Sequence, residues 1–240
     1  MTYDLLAVGD VMLDVHVPAA PGRGTVHEAI RVGAGGSSVN AARAAVRLGA
    51  RAAVVGRIGD DSAGVAIADD LRRAGIDSLL EVDTAAVTGT VAYIARGVVA
   101  DRGANAGFIP AGLPDARVTL VSGYLDTAAV GAALACAHGV RAVDLQRAGQ
   151  NPFDADVVLG PELVVDNFIA HHGIVCATLG ARGAHAARGV ERVSVAPERV
   201  LAASPRGAGD AFAAAFLLAF ADEHPLRVCV ERGCAAALAL

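Results

Sequence analysis

The chain contains no lysine: its 20 basic residues are all arginine. That absence excludes Schiff-base chemistry, a lysine nucleophile and a Walker-type phosphate loop, whose lysine must reach the β- and γ-phosphates. Tryptophan is also missing, and aromatic residues make up 4% of the 240. So few rings argue against an acceptor held by base stacking. The longest apolar run, Ala211 to Ala221, falls short of the roughly 20 residues that span a bilayer and reads as a buried helix, so no membrane association is expected. Four cysteines (Cys136, Cys176, Cys229, Cys234) lack C-x-x-C spacing and the density of a secreted framework, which leaves reduced core thiols. Seven histidines show neither H-x-x-x-H nor H-E-x-x-H spacing, so no zinc site or His-based triad is expected, and His171-His172 reads as loop surface. A formal charge of −5 without basic clusters argues against nucleic acid as a partner. Met1 to Val8 carries Asp4 and lacks a basic start and a small-residue cleavage site, which makes the cytoplasm the expected compartment.

What the chain does contain is apolar sequence rich in alanine, 54% hydrophobic in all, suited to helices packed closely on a sheet. Its length fits one α/β domain over 1–240. Tyr3 to Val8 reads as a buried strand ending at Gly9-Asp10, and Pro18 to Gly24 as a loop. Further strands are expected at 29–32, 52–56, 90–94, 119–122, 142–144, 157–159 and 174–178. Helices are expected over 39–48 and 62–74, each closed by a glycine, Gly49 and Gly75. This alternation predicts a doubly wound, mostly parallel sheet with helices on both faces, whose ligands bind beyond the carboxyl ends of the strands.

The strongest motif is Gly207-Ala208-Gly209-Asp210, which opens the apolar helix. Small residues there let free backbone N–H groups converge at a helix start, where the dipole favours a phosphate or another anion. Asp210 then stands where it can take a proton from an attacking hydroxyl, or it merely caps the helix. A second glycine run, Gly33-Ala34-Gly35-Gly36-Ser37-Ser38, leads into Asn40. It is a poor dinucleotide fingerprint, because Ser38 takes the third glycine position. It suits the close approach of a polyol hydrogen-bonded to Asn40, or a plain helix start. Asp10 and Asp14 follow the first strand four residues apart, fit for vicinal hydroxyls, a metal or solvent. Thr178-Leu179-Gly180-Ala181-Arg182-Gly183 follows a buried strand and either borders a nucleotide or makes a turn.

Taken in order, these segments resemble the ribokinase-like (PfkB) carbohydrate kinases over nearly the whole chain. The ordered set runs from Gly9-Asp10…Asp14 through Gly35-Gly36…Asn40 and Val55 to Gly64. It continues with Thr88-Gly89-Thr90, Ser122-Gly123-Tyr124 and Thr178-Leu179-Gly180, and ends at Gly207-Ala208-Gly209-Asp210. The resemblance implies a small β-lid from about 15–34 and 89–103, and transfer of the γ-phosphate of ATP, with Mg²⁺, to a hydroxymethyl group of a sugar. It implies Asp210 as catalytic base and Gly207, Ala208 and Gly209 as the anion hole. Asp14, Gly35, Gly36 and Asn40 fall at substrate-binding positions, Thr178, Gly180 and Gly183 on the nucleotide side. Arg102 and Asn105 lie where the lid rejoins the core, within reach of substrate, and two copies are expected to pair through their lids.

The chain departs from the family pattern in several places. Ser204-Pro205-Arg206 replaces the usual Asp-Thr-Thr, which removes an aspartate tied to a monovalent-cation site. No Asn-x-x-Glu, the motif linked to Mg²⁺ and phosphate, is recognisable around Gly160-Pro161-Glu162-Leu163, and the lid hairpin after Ile94 lacks its usual turn. The sequence ends at Leu240 inside a helical stretch, where relatives continue with residues that help close the adenine pocket. Two other functions stay open beside the sugar kinase: a degenerate, non-catalytic sugar- or nucleotide-binding homologue, and a nucleoside kinase.

Overall fold

Along β1 (Tyr3–Val8) the side chains from Leu5 to Val8 are fully buried, Leu5 and Ala7 in one hydrophobic cluster, Leu6 and Val8 in another. A strand covered on both faces belongs inside a parallel sheet. In the computed structural model, which describes residues 2–18, 29–146, 154–162, 173–198 and 205–239, β1 lies between two parallel neighbours. On one side stand β4 (Ala52–Gly59) and then β5 (Asp77–Asp83). On the other come β8 (Ala116–Ser122), β9 (Val140–Asp144), β10 (Val157–Pro161) and β11 (Ile174–Thr178), all parallel. The antiparallel hairpin β12 (Ala184–Arg188) and β13 (Glu191–Val195) completes a nine-stranded sheet.

Helices cover both faces. The first cluster joins the sheet to α1 (Ser37–Arg47), α2 (Ser62–Arg73), α4 (Ala208–Ala221) and α5 (Leu226–Leu238). The second joins it to α3 (Thr127–Cys136). Strand order turns back across β1 and β8, so the crevice where ligands bind such sheets opens beyond Val8 and Ser122. No helix of the described residues is long and apolar enough to cross a membrane.

Four strands leave the main sheet and make a second one in the order β3-β2-β6-β7, from β2 (Met12–His16), β3 (Arg31–Gly35), β6 (Thr90–Ile94) and β7 (Gly97–Asp101). They arise where the chain departs after β1 and after β5. Asp61 anchors the second departure. Its carboxylate accepts from Gly64 N at the start of α2 and from both the backbone N and the hydroxyl of Thr88 just before β6. Those bonds to the ionised form hold its pKa below the ordinary carboxylate range.

The expected strands at 90–94 and 174–178 match their observed bounds, and the helices over 39–48 and 62–74 differ by one or two residues at their ends. The strand expected at 29–32 sits later, at Arg31–Gly35, because its partner is β2, with Met12 opposite Gly35 and His16 opposite Arg31. Residues 19–24 of the expected loop, 19–28 of the first lid segment, His171-His172, Leu163 and Ser204 lie outside the described residues.

Candidate active site

The start of α4 defines the site. Gly207 is its N-cap and takes φ +80°, a left-handed conformation that glycine adopts without strain. The turn pairs Ala208 N with Pro205 O at 3.1 Å and, among the described residues, leaves the amides of Gly207 and Gly209 without a backbone partner beside the cleft, an arrangement that suits an anion. Asp210 lies in the first turn, and Asn40 of α1 donates to its carboxylate, Nδ2 to Oδ2, at 3.0 Å. Burial pushes the Asp210 pKa up to about 7, and the Asn40 bond pulls it back toward the ionised form.

Sequence reasoning missed a second carboxylate. Asp144 ends β9, is 8% exposed, and accepts a 2.7 Å hydrogen bond from the Gln146 amide. Its pKa is pushed up to about 8, first by burial and then by the charge of Asp210. An acidic residue at the carboxyl end of a buried strand was the available signal, and its closeness to a residue 66 positions away was not.

Asp14 of β2 is also nearly buried, at 8% exposure, and its Oδ1 has no hydrogen-bond partner. Burial raises its pKa. Its carboxylate occupies the space where a side chain at Gly35 would begin: a Cβ there would overlap it. The next residue, Gly36, has φ +100°, and a Cβ on it would strike the carbonyl of Asp10. The glycine run therefore brings the backbone of β3 and the start of α1 against the two acids.

Those acids are not equivalent, and neither is a solvated loop residue. Asp10 is held by Arg102 through paired bonds at 3.1 Å, Nε to Oδ2 and Nη2 to Oδ1. Arg102 also reaches Asp126 at 3.2 Å. Asp10 is thus neutralised within the protein, whereas Asp14 keeps an open oxygen. Asn105 is fully buried and committed to the backbone. Its Oδ1 accepts from Val11 N, and its Nδ2 donates to the carbonyls of Val11 and Arg102. It ties the end of the second sheet to the turn after β1 and has little left to offer a ligand.

Thr178 closes β11, with its hydroxyl donating to Gly160 O at 3.4 Å. A single turn of 3-10 helix, Gly180–Arg182, follows, and Gly183 begins the edge hairpin. Thr178, Gly180 and Gly183 line one cleft together with Ala208 and Gly209, so the two glycine-rich segments face a common space. Phe212, Cys234, Ala237 and Leu238 supply its apolar wall, the last three from α5. Glu162, beside the region where Asn-x-x-Glu is unrecognisable, is ion-paired to Arg182. Among the described residues no group of three or more His, Cys, Asp or Glu side chains is placed to hold a metal ion.

A nine-stranded, mostly parallel sheet accompanied by a separate four-stranded sheet, with a Gly-Ala-Gly-Asp helix start at the carboxyl ends of its strands, is the ribokinase-like α/β architecture. Solved structures of that class superpose on the whole chain. Trypanosoma brucei brucei adenosine kinase matches with a TM-score of 0.83, 21% identity, and coverage of 100% of this chain and 98% of that one. Arabidopsis thaliana ribokinase, solved with ribose and ATP, matches with a TM-score of 0.77, 20% identity, and coverage of 99% and 92%. Bacillus subtilis ribokinase is 28% identical over 78% of this chain and 74% of its own length. The model of the pfkB family of carbohydrate kinases matches residues 3–157 and 164–240, and the chain belongs to that family. Membership implies phosphotransferase activity on a small-molecule acceptor.

Proposed function

We propose that the protein is an ATP-dependent kinase that transfers the γ-phosphate to a hydroxymethyl group of a sugar or sugar derivative, with Asp210 as base. The observation that carries this reading is the joint placement of Asp210 and the anion-binding turn Gly207-Ala208-Gly209 at one helix start, where among the described residues the Gly207 and Gly209 amides have no backbone partner, with the Asp210 pKa near 7. A base with that pKa is ionised in a useful fraction at neutral pH and still takes a proton as the hydroxyl attacks. The amides meet charge that develops on the transferring phosphoryl group. Asp14, Gly35, Gly36 and Asn40 form the acceptor side, where the open oxygen of Asp14 accepts a hydrogen bond from an acceptor hydroxyl. The cleft lined by Thr178, Gly180 and Gly183 takes the nucleotide against the α5 wall.

Mg²⁺ neutralises phosphate charge in such transfers and arrives bound mainly to the nucleotide. Asp210 is the carboxylate this chain sets beside the anion-binding turn, and its elevated proton affinity is one that a cation would relieve. The four-stranded sheet acts as a lid that excludes water. Its outer face exposes Val32, Ile94 and Val99, which supports pairing of two copies through it.

The test is ADP release from Mg-ATP across pentoses, hexoses, sugar acids, sugar phosphates and nucleosides, with Asp210→Asn in parallel. One acceptor that turns over and loses on the order of 10²–10⁴-fold in the variant is the expected result. The ion pair between Glu162 and Arg182 favours the second reading, a non-catalytic binder. Silence across the panel, with nucleotide or sugar still bound, would establish it.

A further inference from the structure

Arg206 immediately precedes the glycine that opens the anion-binding turn, and its guanidinium carbon lies 3.3 Å from the centroid of the Tyr93 ring on β6. Tyr93 is in turn stacked on His16 of β2, with centroids 4.6 Å apart and planes 13° from parallel. The three groups form a layered column from the start of α4 to the lid. Asp14, two residues before His16, shares its face of β2 and feels the charge of Arg206.

A guanidinium stacked on a ring has its planar fork of N–H donors directed outward along its edges. Two other arginines near the cleft are occupied: Arg43 by Asp70, and Arg102 by Asp10 and Asp126. Arg206 is exposed and, among the described residues, has no carboxylate within 4.0 Å. The Asp14 carboxylate lies within electrostatic reach of Arg206 and would repel an anionic acceptor if nothing offset it. Asp14 is nine-tenths buried with an oxygen that lacks a donor, so the same space is short of a ligand hydroxyl.

We propose that the acceptor is a polyol bearing a carboxylate or a phosphate away from the hydroxyl that reacts, and that Arg206, oriented by Tyr93, selects it. The proposal rests on the kinase reading above. Asp14 and Asn40 would hold hydroxyls, Asp210 would face the reacting one, and the Arg206 fork would take the anion with two parallel bonds. Because the stack orders the guanidinium beforehand, little side-chain freedom is lost on binding.

The test is calorimetric binding without nucleotide, using neutral sugars, the corresponding sugar acids and the corresponding sugar phosphates, followed by turnover with Mg-ATP. At least one anionic acceptor is expected to bind about tenfold or more tightly than its neutral counterpart. The carboxylate and phosphate arms identify which anion it is. Arg206→Gln should erase most of that ratio, and Tyr93→Leu, which removes the platform and keeps the arginine, should lower it in the same direction. Asp210→Asn should retain the binding ratio while losing turnover, so failure of the kinase reading shows up as a ratio without phosphorylation. Equal binding of neutral and anionic acceptors by the native protein would overturn the proposal. So would an unchanged ratio in both Arg206→Gln and Tyr93→Leu, or an equal loss of every acceptor in Arg206→Gln, which would assign the residue to a contact that neutral and anionic acceptors share.

Discussion

The Asn40 amide donates to the Asp210 carboxylate at 3.0 Å, joining two helix starts that lie 170 residues apart in the chain. The bond favours the ionised acid, against a burial that favours the protonated one and leaves the pKa at about 7. Only ionised Asp210 can take a proton from the acceptor, so kcat/KM should climb as pH rises through about 7. Asn40→Ala removes the favouring bond, and the acid limb of the profile should move to higher pH. A limb that stays in place would mean that another group controls it.

The same elevated pKa has a consequence for stability. Asp210 binds its proton more tightly in the folded protein than in the unfolded chain, where the acid has its ordinary pKa of 3.8. Its contribution is therefore greatest below pH 3.8 and is lost as pH rises through about 7. Asp210→Asn abolishes this loss. The ligand-free variant should melt at a higher temperature than the native protein at pH 8, and the difference should shrink toward pH 5. Calorimetric melts at the two values read the effect directly.

Gly35→Ala places a methyl group where the Asp14 carboxylate stands. Asp14 must move, and the oxygen that awaits a hydroxyl moves with it. Acceptor affinity should fall by about tenfold or more, the scale of one charge-assisted hydrogen bond. Nucleotide affinity, set at the Thr178 cleft, should change by far less. Separate titrations with sugar and with a nucleotide analogue distinguish the two effects.

The parts of the fold legible in the sequence are those whose residues report their surroundings locally. Buried strands such as β1 from Leu5 to Val8 and β11 are apolar runs, and α4 from Ala211 onward is apolar around most of its circumference because most of it is buried. Strands β5 and β7 were not anticipated, because they lie at sheet edges, are largely exposed and owe their conformation to their partners. The site divides the same way. Glycine turns and a helix start announce themselves over a few residues. The engagement of Asp10 by Arg102, 92 positions away, the approach of Asp144 to Asp210 and the column of His16, Tyr93 and Arg206 arise only when the chain closes on itself.

Asn105 is a case in which a polar residue near a ligand cleft serves the scaffold. Asn105→Leu removes the partners of the Val11 N–H and C=O, both tied to a fully buried side chain. Leaving a buried polar group unsatisfied costs about 1–3 kcal/mol, so a loss on the order of 3 kcal/mol is expected for the two together. Urea unfolding at constant slope measures it. A drop in activity without a drop in stability would place Asn105 on the substrate instead.

Asp144 and Asp210 titrate as a coupled pair, since the charge on Asp210 is one of the two causes that lift Asp144 to about 8. Asp210, at about 7, loses its proton first, and Asp144 is still largely protonated when the base becomes competent. Ionising Asp144 as well puts a second negative charge beside the position of the incoming phosphates, where it opposes binding. The pH profile of kcat/KM at low nucleotide should therefore be bell-shaped, rising through about 7 with Asp210 and falling through about 8 with Asp144. Asp144→Asn imitates the protonated acid at every pH, so the falling limb should disappear while the rising limb remains. A falling limb that persists in this variant would place the alkaline titration on another group and leave Asp144 with a purely structural role under β9.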